Sequence, residues 1–187
     1  MKQILFILFV GVISPVFSQA DSDLQLAQHY FGKGSFDKAL EYYEKIYNET
    51  PTLSVFRKYY ECLIETKDYK RAEKTLKKEI SKTNNNLDLK LQLAGFYINR
   101  GQDSKAKKIY EGLMSNNTQS PSQCISLFNS FISLSMMDES KKVLEIAKKK
   151  FKSHPFNFQE ADLYAQQKDK PKMIEAYLSL LENHDYY

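Results

Sequence analysis

Apolar positions along the chain recur at helical spacing. The stretch "GKGSFDKALEYYEKIYNETP", Gly32 to Pro51, sets a glycine before an aromatic, an alanine three residues on, and an apolar stripe that ends near a proline. Its alanine, Ala39, finds counterparts at Ala72, Ala106, Ser140 and Met173, at intervals of 33, 34, 34 and 33 residues. Four residues after each comes a large apolar side chain, Tyr43, Leu76, Tyr110, Leu144 and Tyr177, on the same helical face. So regular a period marks a repeat array whose unit is a pair of helices. A first helix precedes each stripe, as in "LQLAQHYF" and "LKLQLAGFYI", where Leu26, Ala27 and Tyr30 match Leu93, Ala94 and Tyr97. Gly34 and Gly101 fall between paired helices, where positive φ is useful. Pro51, Pro121, Pro155 and Pro171 lie at helix ends or first turns, and Ser120 with Gln123 reads as a capping box. The pattern predicts five helical hairpins near 21–51, 52–85, 86–119, 120–153 and 154–187.

These residues resemble the tetratricopeptide repeat family, whose 34-residue unit pairs a helix bearing Leu-Gly/Ala-x-x-Tyr with one bearing Ala-x-x-x-Phe/Tyr and often a later proline. Leu26-Ala27, Tyr30, Gly34, Phe36, Ala39, Tyr43 and Pro51 fit, as do Leu93-Ala94, Tyr97, Gly101, Ala106 and Tyr110. The resemblance implies an all-α fold, an α-solenoid of five hairpins in a right-handed superhelix. Tyr60 and Phe128 replace the family's small first-helix residue, so the second and fourth hairpins are expected to be splayed or shifted. Ser140 and Met173 stand where alanine is usual, and tryptophan is absent.

The start of the chain has a different character. Lys2, the apolar run Ile4–Phe17 and the small-residue site Ser18-Gln19-Ala20 predict a secretory signal peptide over residues 1–20, cleaved after Ala20 or Ser18. Its apolar core of 14 residues is short of the ~20 that span a bilayer. The first cysteine is Cys62, too late for a lipid-anchored leader, so residues 21–187 are expected in a periplasmic or extracellular space, with outer-membrane association through a partner left open. Cys62 and Cys124 are read as buried thiols rather than a disulfide framework. Net charge is +4 and falls to +3 without Lys2; Arg57, Arg71 and Arg100 are the only arginines, which argues against a nucleic-acid site.

No constellation for catalysis emerges. His29, His154 and His184 sit in different units, and no HExxH, paired CxxC or nucleophile elbow is present, so neither enzyme activity nor a metal or cofactor is expected. His29 is expected to be half-buried. Asn48-Glu49-Thr50 and Asn116-Asn117-Thr118 are glycosylation sequons only in a eukaryotic source.

What remains is surface. The family resemblance implies that the first helices line a concave groove. Projected inward, they offer Leu24, Gln28 and Phe31; Arg57, Glu61 and Ile64; Leu91, Gly95 and Ile98; Ile125, Asn129 and Ile132; and Phe158 and Asp162. Such an apolar strip suits a peptide, a helix or a protein partner, with packing between hairpins as the alternative for Leu24, Leu91 and Ile125. The expected function is a non-catalytic interaction scaffold of the cell envelope. One alternative is an N-terminal accessory domain of a larger envelope enzyme or assembly. The other is a binder of acidic envelope polymer or lipid through the lysine-rich second helices, whose interspersed glutamates favour a solvated, ion-paired face. Ile174, Leu178 and Leu181 have no sixth hairpin to stack on, which leads to the expectation of a longer chain, an intramolecular C-terminal domain or self-association there.

Overall fold

The computed structural model describes the backbone of residues 16–84 and 86–182 and the side chains of residues 22–84 and 86–180. Residues 1–15 of the expected signal peptide, and the side chain of Leu181, lie outside the described residues. The described residues form ten helices: α1 (Val16–Gly32), α2 (Phe36–Glu49), α3 (Leu53–Glu65), α4 (Tyr69–Lys82), α5 (Leu87–Ile98), α6 (Asp103–Asn116), α7 (Pro121–Ser133), α8 (Met137–Lys150), α9 (Asn157–Gln166) and α10 (Lys170–Glu182). All five expected hairpins are present. The chain divides into two compact units, Met1–Lys78 and Glu79–Tyr187, with the boundary inside α4.

The hairpin turns share one device. Gly34, Lys67, Gly101, Ser135 and Lys168 all take positive φ, between 57° and 69°, at the same register of the five units. After each, the next residue's N–H reaches back to an aromatic or leucine carbonyl of the first helix: Ser35 to Tyr30, Asp68 to Leu63, Gln102 to Tyr97, Met136 to Phe131 and Asp169 to Tyr164, at 2.8–2.9 Å. This left-handed residue with its back-reaching bond satisfies carbonyls that the helix end leaves free. Only two of the five positions carry glycine. At the other three an L-residue bears the strain of about 1–2 kcal/mol.

Helix starts are capped in register too. Thr52 accepts from the Val55 N–H, Asn86 from Leu89 and Ser120 from Gln123. The capping box at Ser120 differs from expectation in one bond: the Gln123 side chain accepts from the Gln119 N–H at 2.9 Å, one residue before the cap.

In the first unit α2 packs on α1 and on α3. Ala27 and Ala39 are fully buried, as are Phe56, Leu63, Ala72 and Leu76. Tyr47 stacks on Tyr59 at 5.5 Å and meets Phe56 at 5.9 Å. Arg71 of α4 ties three helices together, donating to Glu44 at 2.6 Å and Tyr59 at 3.2 Å. Tyr60 is accommodated in the core at 6% exposure, its ring 6.0 Å from Phe56.

In the second unit the pairs α5–α6, α7–α8 and α9–α10 pack as hairpins, and α9 also meets α7 and α8. Leu113, Leu127, Phe128, Phe131 and Val143 form the core, with Tyr110 edge-on to Phe131 at 5.7 Å. Ser140 occupies the alanine position fully buried because its hydroxyl donates to the Met136 carbonyl of its own helix, at 2.8 Å, and leaves no orphan polar atom.

Candidate functional site

Three register positions recur in the first helices at i, i+4 and i+7, which places them on one face of each helix. The rows are Leu24, Arg57, Leu91, Ile125, Phe158; Gln28, Glu61, Gly95, Asn129, Asp162; and Phe31, Ile64, Ile98, Ile132, Ala165. Of the third row's large side chains none is buried: Phe31, Ile64 and Ile132 are half-buried and Ile98 is 46% exposed. One residue earlier, Leu63, Tyr97 and Phe131 are at most 4% exposed. In these three hairpins a rotation of about 100° along the helix separates core from face, whereas the equivalent Tyr30 and Tyr164 are half-buried.

In the first unit Gln28, Arg57 and Glu61 are exposed and Ile64 half-buried. Phe31 packs edge-on to Phe36 at 5.4 Å and to Tyr43 at 6.1 Å. Its remaining side is occupied by Lys58, whose ammonium lies 4.0 Å from the ring centroid and also bonds Glu61 at 3.0 Å. Lys58 did not stand out in the sequence; it lies 27 positions from Phe31, and only the packing of both α1 and α3 on α2 brings them together. The cation–π contact is worth ~0.5–1 kcal/mol at an exposed site, so the lysine is a removable cover rather than a fixed lid.

In the second unit the structure corrects the groove set at Leu91, which is 7% exposed and belongs to the core. Ile98, Asn129 and Asp162 are exposed and Ile132 half-buried. Gly95 leaves open space, since a Cβ built on it meets nothing within 4 Å. Phe158 is 60% exposed and leans toward α10, edge-on to Tyr177 at 6.4 Å. Ile174 and Leu178 are 51% and 52% exposed on that helix. Leu134, at the end of α7, is 52% exposed and was not singled out.

The titratable groups here are structural. Burial, then the charge of Glu61, pushes the Cys62 thiol up to about 12, and burial raises Cys124 as well. Both are free and buried, hence unreactive. His29, contrary to expectation, is exposed, edge-on to Tyr30 at 5.6 Å. Among the described residues no group of three or more His, Cys, Asp or Glu side chains could hold a metal ion. Many lysines of the second helices are paired, Lys77 with Glu73, Lys107 with Glu111 and Lys148 with Glu160, as a solvated face requires.

Profiles described as tetratricopeptide repeat match residues 24–52 and 63–125. Similar solved structures include a tetratricopeptide repeat protein from Parabacteroides merdae, at 12% identity over 90% of this chain and 68% of that one, TM-score 0.47. A MamA fragment from Desulfovibrio magneticus shares 14% identity over 89% and 97% of the two chains, TM-score 0.46. YrrB, described as a repeat protein with an unusual peptide-binding site, shares 15% over 92% and 91%, TM-score 0.42. No curated protein matches the sequence. Likenesses this distant carry no residue-level inference. The matched profiles and the five hairpins in a 33- to 34-residue register place the chain in the tetratricopeptide repeat family, whose arrays are in general non-catalytic scaffolds for protein–protein interaction.

Proposed function

We propose that the protein is an exported, non-catalytic scaffold that binds a peptide, helix or protein domain on the open faces that the first helices present within each unit, without a cofactor. The observation that carries this reading is the third row: Phe31, Ile64, Ile98 and Ile132 recur in register and stay half-buried or exposed. Large apolar side chains kept in water at a fixed spacing are a cost without a partner and an anchor set with one. Gln28, Arg57, Glu61, Asn129 and Asp162 supply polar groups between the anchors. Export is supported by the apolar segment Ile4–Phe17 followed by Ser18-Gln19-Ala20, and no described helix is long and apolar enough to cross a membrane.

The test is affinity capture from envelope extract with the native chain and with Ile98→Asp/Ile132→Asp, followed by titration of the captured protein, purified, against both. Circular dichroism confirms that the variant folds. A partner bound by the native chain and weakened at least tenfold by the variant supports the reading; equal binding overturns it. Fractionation of cells producing the full chain tests export: retention of an uncleaved chain in the cytoplasm removes that half of the proposal.

A further inference from the structure

The α8–α9 connection builds a feature that the first-helix face does not use. A cleft of about 510 Å³ is lined by Pro121, Lys149, Lys150, Phe151, Lys152, Ser153 and His154. Three of these side chains are ammonium groups, one is an imidazole and none is a carboxylate. Among the described residues no carboxylate pairs with Lys149, Lys150 or Lys152, in contrast to neighbouring Lys148, which is neutralised by Glu160. Lys150 is held in place by neutral acceptors, donating to the Thr118 carbonyl at 3.1 Å and hydroxyl at 3.2 Å, so its position is fixed while its charge is uncompensated. The backbone at His154 is held by its main-chain N–H, which donates to the Phe151 carbonyl at 3.0 Å, and the His154 ring lies edge-on to buried Phe156 at 4.7 Å.

Two helix ends border the cleft: the C-terminus of α8, worth about −0.5 charge, and the N-terminus of α7 at Pro121, worth about +0.5. These cancel, and three full positive charges remain. Lysine ammonium groups act as point charges rather than as the planar fork that arginine offers a carboxylate. A dianion with several acceptor oxygens can engage more than one of them at once, and a phosphate ester carries about −1.5 to −2 charges near neutrality. The volume exceeds what one phosphate fills and lies within the ~300–1,000 Å³ of small-molecule sites, leaving room for the group that bears the phosphate. We infer that this cleft binds a phosphate group of a phosphorylated ligand, through Lys149, Lys150 and Lys152, with Ser153 and His154 as further hydrogen-bond donors.

The test uses the full chain, labelled with ¹⁵N, titrated with inorganic pyrophosphate and with glucose 6-phosphate at constant ionic strength. Vesicles of phosphatidylcholine with and without phosphatidic acid form the second arm, read by co-sedimentation. Two variants remove equal charge: K149Q/K152Q at the cleft, and K141Q/K142Q about 12 Å along the axis of α8. Saturable shifts at residues 149–154, weakened about fivefold or more by K149Q/K152Q and unchanged by K141Q/K142Q, support the site. If only phosphatidic acid vesicles show this difference, the phosphate belongs to a lipid headgroup; if only the soluble phosphates do, it belongs to a soluble ligand. Shifts that do not saturate, or the same weakening by both variants, overturn the inference, because they describe the general basicity of the surface.

Discussion

Replacing Gly95 by alanine is expected to stabilise the protein and to weaken its binding to a partner, whereas Gly112→Ala is expected to do only the first. Both glycines lie in helix interiors of the second unit, in α5 and α6, where glycine costs about 0.8–1.0 kcal/mol relative to alanine. A Cβ built at either position meets nothing within 4 Å, so no steric term offsets the gain. Each variant should therefore gain about 1 kcal/mol, or about 4 °C in Tm for a domain of this size. Urea unfolding and calorimetry measure the gain, and titration of the partner measures the second effect. Gly95 lies three residues before exposed Ile98 on the open face of its helix, where a bound chain would meet the added methyl. A loss of stability in Gly95→Ala would show that the space beside α5 is not open. A gain with unchanged affinity would refute the placement of the partner on this helix.

The turn register predicts opposite signs at equivalent positions. Gly34→Ala should cost about 1–2 kcal/mol, while Lys67→Gly, Ser135→Gly and Lys168→Gly should each gain up to about 1 kcal/mol by relieving positive φ, all by urea titration. Gln102, at the start of α6, makes no cap and buries its Oε1 without a hydrogen-bond partner; Gln102→Asp should gain about 1 kcal/mol, and an unchanged midpoint would refute the capping argument. Alkaline pH should destabilise the fold through Cys62, pushed from 9.0 up to about 12, and Tyr60, pushed from 10.0 to about 12. For both, the folded chain keeps a proton that the unfolded chain loses, so their contribution is complete below pH 9 and is lost as pH rises toward 12. The slope should approach 1.4 kcal/mol per pH unit above pH 9 and about twice that above pH 10; a flat urea midpoint from pH 8 to 11 contradicts the burial argument.

The hairpins were legible because a period of 33 or 34 residues repeats every signal of helix, turn and core at once. The conformation of the turns was legible only where glycine marks it. Lys67, Ser135 and Lys168 announce nothing individually, yet the bond from the following N–H to Leu63, Phe131 and Tyr164 forces each into the left-handed region. Chain geometry overrides residue preference there at a modest cost. Tyr60 and Phe128 show the same priority in packing. Both stand where the family has a small residue, and both are buried, at 6% and 1% exposure, Tyr60 with its ring 6.0 Å from that of Phe56.

The face was harder to read than the fold, and α5 shows why. "LDLKLQLAGFYI" is apolar on nearly every side, so helical period alone does not say which side meets water. Leu91 and Ile98 lie seven residues apart, almost two turns, and look equivalent in sequence; one is 7% exposed and the other 46%. What separates them is the position of each along the helix relative to its neighbours, which no local pattern encodes. Comparison across units resolves the ambiguity that single helices leave. Ile64, Ile98 and Ile132 share a register in three hairpins with different sequences around them, and all three escape full burial. A side chain exposed by accident of packing has no reason to recur at one register. A side chain exposed to meet a partner does, and for that reason substitutions at these isoleucines, more than at Leu91 or Phe158, distinguish a binding face from leftover surface.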